Sequence, residues 1–186
     1  MKCVLAYDLG GTSIRAVLMN TEGEWIVQHA VQQPPPVIDN IGRSEKNPDE
    51  WWRDFIRVTG LILGSSEAAE AEIAGLVISG LTRTQIFLDR SGRVIRPAIT
   101  WADGRAVKQA DQIVSVQSRI GPRGLTFGPV NPFHTLARLL WIKDYEQNNF
   151  ERINVVLEPK DYINFRLTGE LAGDLISLSR LLSTED

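Results

Sequence analysis

The stretch Tyr7-Asp8-Leu9-Gly10-Gly11-Thr12-Ser13-Ile14-Arg15 decides how the chain folds. An apolar run, Val4-Leu5-Ala6-Tyr7, ends at an aspartate, and two glycines and two hydroxyl residues follow. A second apolar run covers 14–19, with Arg15 inside it. The pattern predicts strand, glycine-rich turn, strand: a β-hairpin. Glycine lets a backbone approach a bulky anion, and free N–H groups at such a turn can form an anion-binding nest. Gly10, Gly11, Thr12, Ser13 and Arg15 are therefore candidate phosphate-binding residues. Asp8, at the strand end, is a candidate ligand for a hydrated Mg²⁺ beside a phosphate. The same residues also fit a plain hairpin with Asp-Leu-Gly-Gly as its turn, and the short motif alone leaves both readings open.

Downstream of the hairpin, residues 24–33 read as a third strand, closed by Pro34-Pro35-Pro36, because proline cannot donate to a sheet ladder. His29 reads as a surface strand residue. Asn47-Pro48-Asp49-Glu50 is a helix start, with Asn47 as cap, Pro48 at the first helical position and Glu50 placed to complete a capping box. That helix is predicted to run to Gly64, with Trp51, Phe55, Val58 and Ile62 as its core stripe, widened by Trp52, Ile56 and Leu63. Adjacent tryptophans at this spacing indicate packing rather than a sugar platform. Residues 73–79 read as a buried strand ended by Gly80; 85–89 and 94–101 read as further strands, the latter broken by Pro97. A helix is expected from Asp103 to Ile120 with Gly121 as terminator, then a loop over 121–132 and a helix over 133–145. A strand over 153–157 and a helix over 159–167, stopped at Gly169, complete the regular part; 171–186 is left as a last helix or a frayed tail. Periodicity by itself establishes only an α/β protein.

Composition sets bounds. The 186 residues suffice for one domain with one substantial core, or for two small lobes. Apolar residues are 43% and charged residues 23%, as in ordinary globular proteins. The formal net charge of −3 and the lack of a basic cluster argue against a nucleic-acid partner. Cys3 is the sole cysteine, so no intramolecular disulfide forms, and it reads as a small buried apolar residue. Neither histidine has a cysteine or second histidine nearby, which argues against structural zinc. The first apolar run is cut off at Asp8, and no run approaches the ~20 residues that cross a bilayer. The expectation is a cytoplasmic protein without a membrane partner.

Three later stretches complete a pattern with the hairpin: Ile78-Ser79-Gly80-Leu81-Thr82-Arg83, residues 96–105 (Arg-Pro-Ala-Ile-Thr-Trp-Ala-Asp-Gly-Arg) and residues 159–170 (Pro-Lys-Asp-Tyr-Ile-Asn-Phe-Arg-Leu-Thr-Gly-Glu). The hairpin resembles the first phosphate motif of the sugar kinase, hexokinase and actin superfamily. The four in order resemble the FGGY carbohydrate kinases, nearest to the xylulose kinase branch, over essentially the whole chain. The resemblance implies a ribonuclease H-like (actin-like ATPase) α/β domain with a mixed sheet flanked by helices: a three-strand meander, a helix, then a strand parallel to the first. It implies ATP-dependent phosphorylation of a sugar or polyol, a ketose such as xylulose being the expected substrate, with ATP and Mg²⁺ as cofactors; a homodimer is compatible with it.

Within that resemblance, Arg83 follows a strand end, where α/β proteins place ligands, and its guanidinium can bond vicinal hydroxyls. Trp101 can stack on a sugar's C–H face, and Asp103 can accept from two hydroxyls. Arg105 can orient Asp103 or meet a phosphate. The alternative is that Asp103 only caps a helix and Trp101 is core. The chain departs from the family pattern at named positions. Leu81 and Arg83 stand where the xylulose kinase branch usually shows Gln-x-His, Thr82 and Arg83 where glycerol kinases place Arg-Glu, and Gly11 where threonine is commoner.

Such kinases have two domains with ATP between them and a base aspartate late in the first. The 186 residues are expected to be the N-terminal part of the first domain, stopping before that aspartate, with the second domain absent. No residue here is assigned as the catalytic base; Asp161 and Asp174 do not match it. The chain alone is expected to be inactive as a kinase, since phosphoryl transfer rests on positioning, charge stabilisation and a proton acceptor. Two rivals stand beside this reading: a non-catalytic sugar-binding or regulatory module, and a non-sugar ATPase lobe, for which residues 101–105 would lack a purpose.

Overall fold

In the computed structural model, which describes residues 1–120, 130–174 and 177, the chain forms a mixed α/β domain. The hairpin is present: β1 (Lys2–Leu9) and β2 (Ser13–Asn20) pair antiparallel with Asp8 opposite Arg15 and Leu9 opposite Ile14. β3 (Trp25–Gln32) continues the meander on β2. A two-residue strand, β4 (Glu45–Lys46), precedes α1 (Pro48–Leu63). A short 3₁₀ turn (Ser66–Ala68) leads into β5 (Glu72–Gly80), which lies parallel to β1, giving the order β3-β2-β1-β5. This is the expected meander plus parallel strand. The remaining chain adds β6 (Ile86–Leu88), β7 (Ala98–Ile99), α2 (Val107–Ile120), α3 (Thr135–Tyr145), α4 (Gln147–Phe150), β8 (Val155–Leu157) and α5 (Pro159–Thr168). β4 pairs with β7, and β6 with β8, both antiparallel.

The principal core lies between the sheet and α1. Cys3, Leu5, Tyr7 and Leu9 alternate along β1 onto one buried face and meet Trp51, Phe55, Val58 and Ile62 of α1. The Tyr7 and Phe55 rings lie 4.5 Å apart, and the Tyr7 hydroxyl bonds Thr59 Oγ1 at 2.9 Å. Burial pushes the Tyr7 phenol's pKa up, against the pull of the Thr59 bond.

Several expectations need correction. Asn47 caps α1 by accepting from Asp49 N–H at 3.0 Å, but the capping box belongs to α5, between Glu158 and Asp161. Trp52 is half-buried, whereas Ile56 and Leu63 are 50% and 52% exposed, so the α1 stripe is narrower than predicted. β5 is apolar yet exposed along most of its length, because it is the open edge of the sheet, where the sequence predicted a covered strand. α2 starts at Val107 rather than at Asp103. Gly169 ends α5 in the left-handed conformation (φ 78°), as expected of a terminating glycine. Gly121 as a terminator, most of the 121–132 loop and the end of the 171–186 tail lie outside the described residues.

Candidate active site

The hairpin tip is built by a close approach. Gly10 N–H donates to Ser13 O at 2.9 Å, and a Cβ on Gly10 would sit 2.8 Å from that same oxygen. Only glycine closes the turn this tightly. Gly80, ending β5, is equally constrained: a Cβ there would lie 2.6 Å from Leu9 Cβ. The two glycines bring the tip, the end of β1 and the end of β5 together, and Leu81 N–H donates to Leu9 O at 3.0 Å.

Trp101 stands beside this junction, with its indole Nε1 3.6 Å from where a Gly11 Cβ would be, and the indole is 46% exposed. Two concavities meet at Trp101 and Leu81. One, of about 340 Å³, reaches from Gly11 to Lys46, Glu50 and Thr100; the other, of about 460 Å³, is bounded by Thr82, Arg83 and Phe133. Gly11 and Trp101 line the first concavity and Trp101 and Arg83 the second, so the two form one depression through Trp101 and Leu81; Asp103, expected beside Arg83 and Trp101, lines neither. Thr12 is exposed at the tip, but Ser13 is 6% exposed, so its hydroxyl is largely enclosed. Asp8 and Arg15 face each other across β1 and β2, both exposed, and neither lines these two concavities. Among the described residues no three His, Cys, Asp or Glu side chains gather as a metal cluster. A lone Asp8 is still a sufficient protein ligand for Mg²⁺, which keeps most of its waters and takes phosphate oxygens.

Asp103 is placed otherwise than expected, while Arg105 takes the first of its two expected roles and orients Asp103. Asp103 is fully buried; its carboxylate accepts from Ser44 N–H at 2.6 Å, from Arg105 N–H at 3.1 Å and from the Arg105 guanidinium at 2.6–3.0 Å. Arg105 also pairs with Glu45 at 2.7 Å and stacks on Trp141 at 4.6 Å. Arg96 joins the same network through Glu45 and through Glu146 at 3.4 Å. A carboxylate so occupied has no oxygen left for a sugar, and neither side chain lines the depression. These two residues hold the loop that presents Trp101; they are not substrate contacts in this geometry.

The sequence reading missed Lys46, Phe133, Arg138 and Glu158. Lys46 lines the first concavity with its Nζ 4.9 Å above the Trp51 ring, and burial pushes its pKa down against the pull of Glu50 and Asp54. Glu158, at the cap of α5, accepts from Arg83 N–H at 2.7 Å. Burial pushes its carboxyl up, opposed by that bond, by Ser177 and by Lys160. Its place after the Val155–Leu157 strand was the one signal that could have marked it.

The depression thus lies beside a glycine-tight turn, at the ends of strands of an α/β scaffold. Residues 3–184 match the FGGY family of carbohydrate kinases, N-terminal domain, and the chain belongs to that family. It is 33% identical over 175 residues to a xylulose kinase of Klebsiella pneumoniae, and 32% identical over 177 residues to one of Escherichia coli (strain K12); each alignment covers 92% of this chain and 34% of that protein. Among solved structures, a xylulose kinase from Rhodospirillum rubrum superposes with TM-score 0.84 at 26% identity, covering 95% of this chain and 36% of that one. Plasmodium falciparum glycerol kinase with ADP superposes with TM-score 0.83 at 18% identity, covering 97% and 37%, and shows the shared fold. The fold is that of the actin-like ATPase sugar kinases. The chain spans about a third of the length of the curated relatives it matches. No described helix is long and apolar enough to cross a membrane.

Proposed function

We propose that this chain forms the sugar- and phosphate-facing part of an ATP-dependent carbohydrate kinase whose substrate is a ketose such as xylulose. The observation that carries the reading is the position of Trp101. Its exposed indole lies against the phosphate turn on one side and the Leu81–Arg83 strand end on the other. A sugar stacked on that indole has its hydroxyls near Arg83 and one end beside Gly11. Gly10, Gly11 and Thr12 would meet the transferred phosphate, Arg15 would add charge, and Asp8 would hold a hydrated Mg²⁺. ATP supplies the phosphoryl group; the chain's own residues orient the acceptor and shape the cradle. A cytoplasmic location follows from this role. The base aspartate and the adenosine wall are assigned to the two thirds of the relatives' length that this chain does not match.

A coupled ADP-release assay tests the proposal. The 186-residue chain is compared with a fusion to the unmatched two thirds of the Klebsiella pneumoniae xylulose kinase, on D-xylulose and a panel of polyols. The fusion should turn over, the chain alone should not, and Trp101→Ala in the fusion should raise KM for the sugar. Sugar-dependent turnover by the chain alone, or an unchanged KM for Trp101→Ala, would overturn the assignment. Sugar binding with a silent fusion would favour a regulatory module.

A further inference from the structure

Arg138 on α3 is fully buried, and its partners among the described residues are not carboxylates but backbone carbonyls. Nη1 donates to Arg83 O at 2.6 Å; Nη2 donates to Trp101 O at 3.0 Å and to Asp103 O at 2.7 Å; Nε donates to Asp103 O at 3.1 Å. Burial lowers its pKa to about 10, with Asp103 acting against that and Arg105 and Arg83 adding to it. A buried cation without an ion-pair partner is costly, and an apolar side chain would pack this face of α3 more cheaply. What the guanidinium does, and an apolar side chain cannot, is tie the loop after β5 to the loop after β7.

Arg83 shows the effect of that tie. Its φ of 58° is the one positive value at a non-glycine residue among those described. A strained backbone persists only where the surroundings over-determine it. Here the carbonyl of Arg83 is held by Arg138, and its N–H by the carboxylate of Glu158 at 2.7 Å. Two buried ionisable groups, one on α3 and one capping α5, grip one residue from both sides, and the first grips Trp101 as well.

The geometry points to Arg138 as a positioning residue: with Glu158 it clamps the backbone of Arg83 and Trp101 so that guanidinium and indole face the same depression. This rests on the sugar-site reading above. A planar fork of N–H donors spans the separate carbonyls, which a lysine ammonium at one point cannot do.

The test compares Arg138→Lys and Arg138→Met with Ile142→Ala, a cavity on the same helix in the cluster with Phe87 and Ile99, which leaves the Arg138 hydrogen bonds to Arg83, Trp101 and Asp103 in place. Backbone couplings and chemical shifts by NMR report φ at Arg83, circular dichroism gives the thermal midpoint, and calorimetry gives the affinity for D-xylulose. In both Arg138 variants Arg83 should leave the left-handed region and affinity should fall roughly tenfold to a hundredfold. Ile142→Ala, at an equal or larger loss of midpoint, should keep both. An unchanged φ at Arg83 in Arg138→Lys, or an equal affinity loss in Ile142→Ala, overturns the clamp. If Arg138→Met does not fold, Arg138→Lys with Glu158→Ala, which releases the other side of Arg83, decides. If the unmodified chain binds no D-xylulose while φ at Arg83 still moves in Arg138→Lys, the clamp stands and the sugar reading falls.

Discussion

The two glycines of the hairpin tip have different duties. At Gly10 a Cβ would sit 2.8 Å from the Ser13 backbone oxygen, which has nowhere to go; at Gly11 the nearest atom to a Cβ is Trp101 Nε1 at 3.6 Å, an ordinary contact. Gly10→Ala should cost about 1–3 kcal/mol of stability, as overpacking does, and Gly11→Ala should stay within about 0.5 kcal/mol of the parent. Urea denaturation compares them directly; equal costs would show that the turn is not what selects Gly10. Asp103 belongs to the same scale. Its removal leaves the buried Arg105 without its main partner, so Asp103→Ala should lose about 3–5 kcal/mol of stability, read as a large fall in thermal midpoint. A variant that folds as stably as the parent and only binds sugar less well would restore Asp103 as a direct contact. The sequence could not reveal this fate. Asp103 is spent on Ser44, and its partner Arg105 on Glu45, both far away along the chain, and local spacing shows only a carboxylate after a strand.

At the scale of elements, what was legible was local. The β1–β2 hairpin announced itself through a turn whose residues are adjacent, and α1 through an asparagine cap and an apolar period of one turn. β4 was not legible, since Glu45 and Lys46 carry no strand pattern and pair only because β7 comes alongside. Arg138 was hidden too: within Leu136, Leu139, Leu140 and Trp141 it reads as a polar position on a surface helix. Only the convergence of two loops beneath α3 shows why it is inside. The start of α5 offers a pH test. Burial raises the pKa of Glu158, so the folded chain holds that proton more tightly than the unfolded chain does. Between the ordinary glutamate value and the raised one, the folded state binds more protons, so this group's contribution to stability falls as pH rises, then levels off. The stability of Glu158→Gln minus that of the parent should therefore grow as pH rises above the ordinary glutamate value of about 4, and then level off. Denaturant titrations across that range would contradict this if the difference stayed flat.

For the whole molecule, the decisive feature is the bare side of β5. Ile73, Leu76 and Val77 are 38%, 44% and 56% exposed, on a strand whose outer backbone groups have no partner strand in the sheet. A long apolar edge is a template for pairing with another chain. The purified protein should self-associate with rising concentration, and Val77→Lys should shift it toward monomer without changing its circular dichroism. Sedimentation velocity at several loadings would refute this if parent and variant ran alike. The sequence showed the strand and its direction but not its exposure, because an apolar run looks the same in the middle of a sheet and at its border.

Cys3, the sole cysteine in the sequence, lies fully buried near the start of β1, flanked by Asn20 of β2 and Ile73 of β5. Its Sγ donates to Met1 O at 3.3 Å. A thiol reagent in solution meets that sulfur only in molecules whose sheet has parted there. The rate of alkylation therefore counts openings of the central strand one at a time, and the chain carries its own clock for the breathing of the sheet on which the site is built.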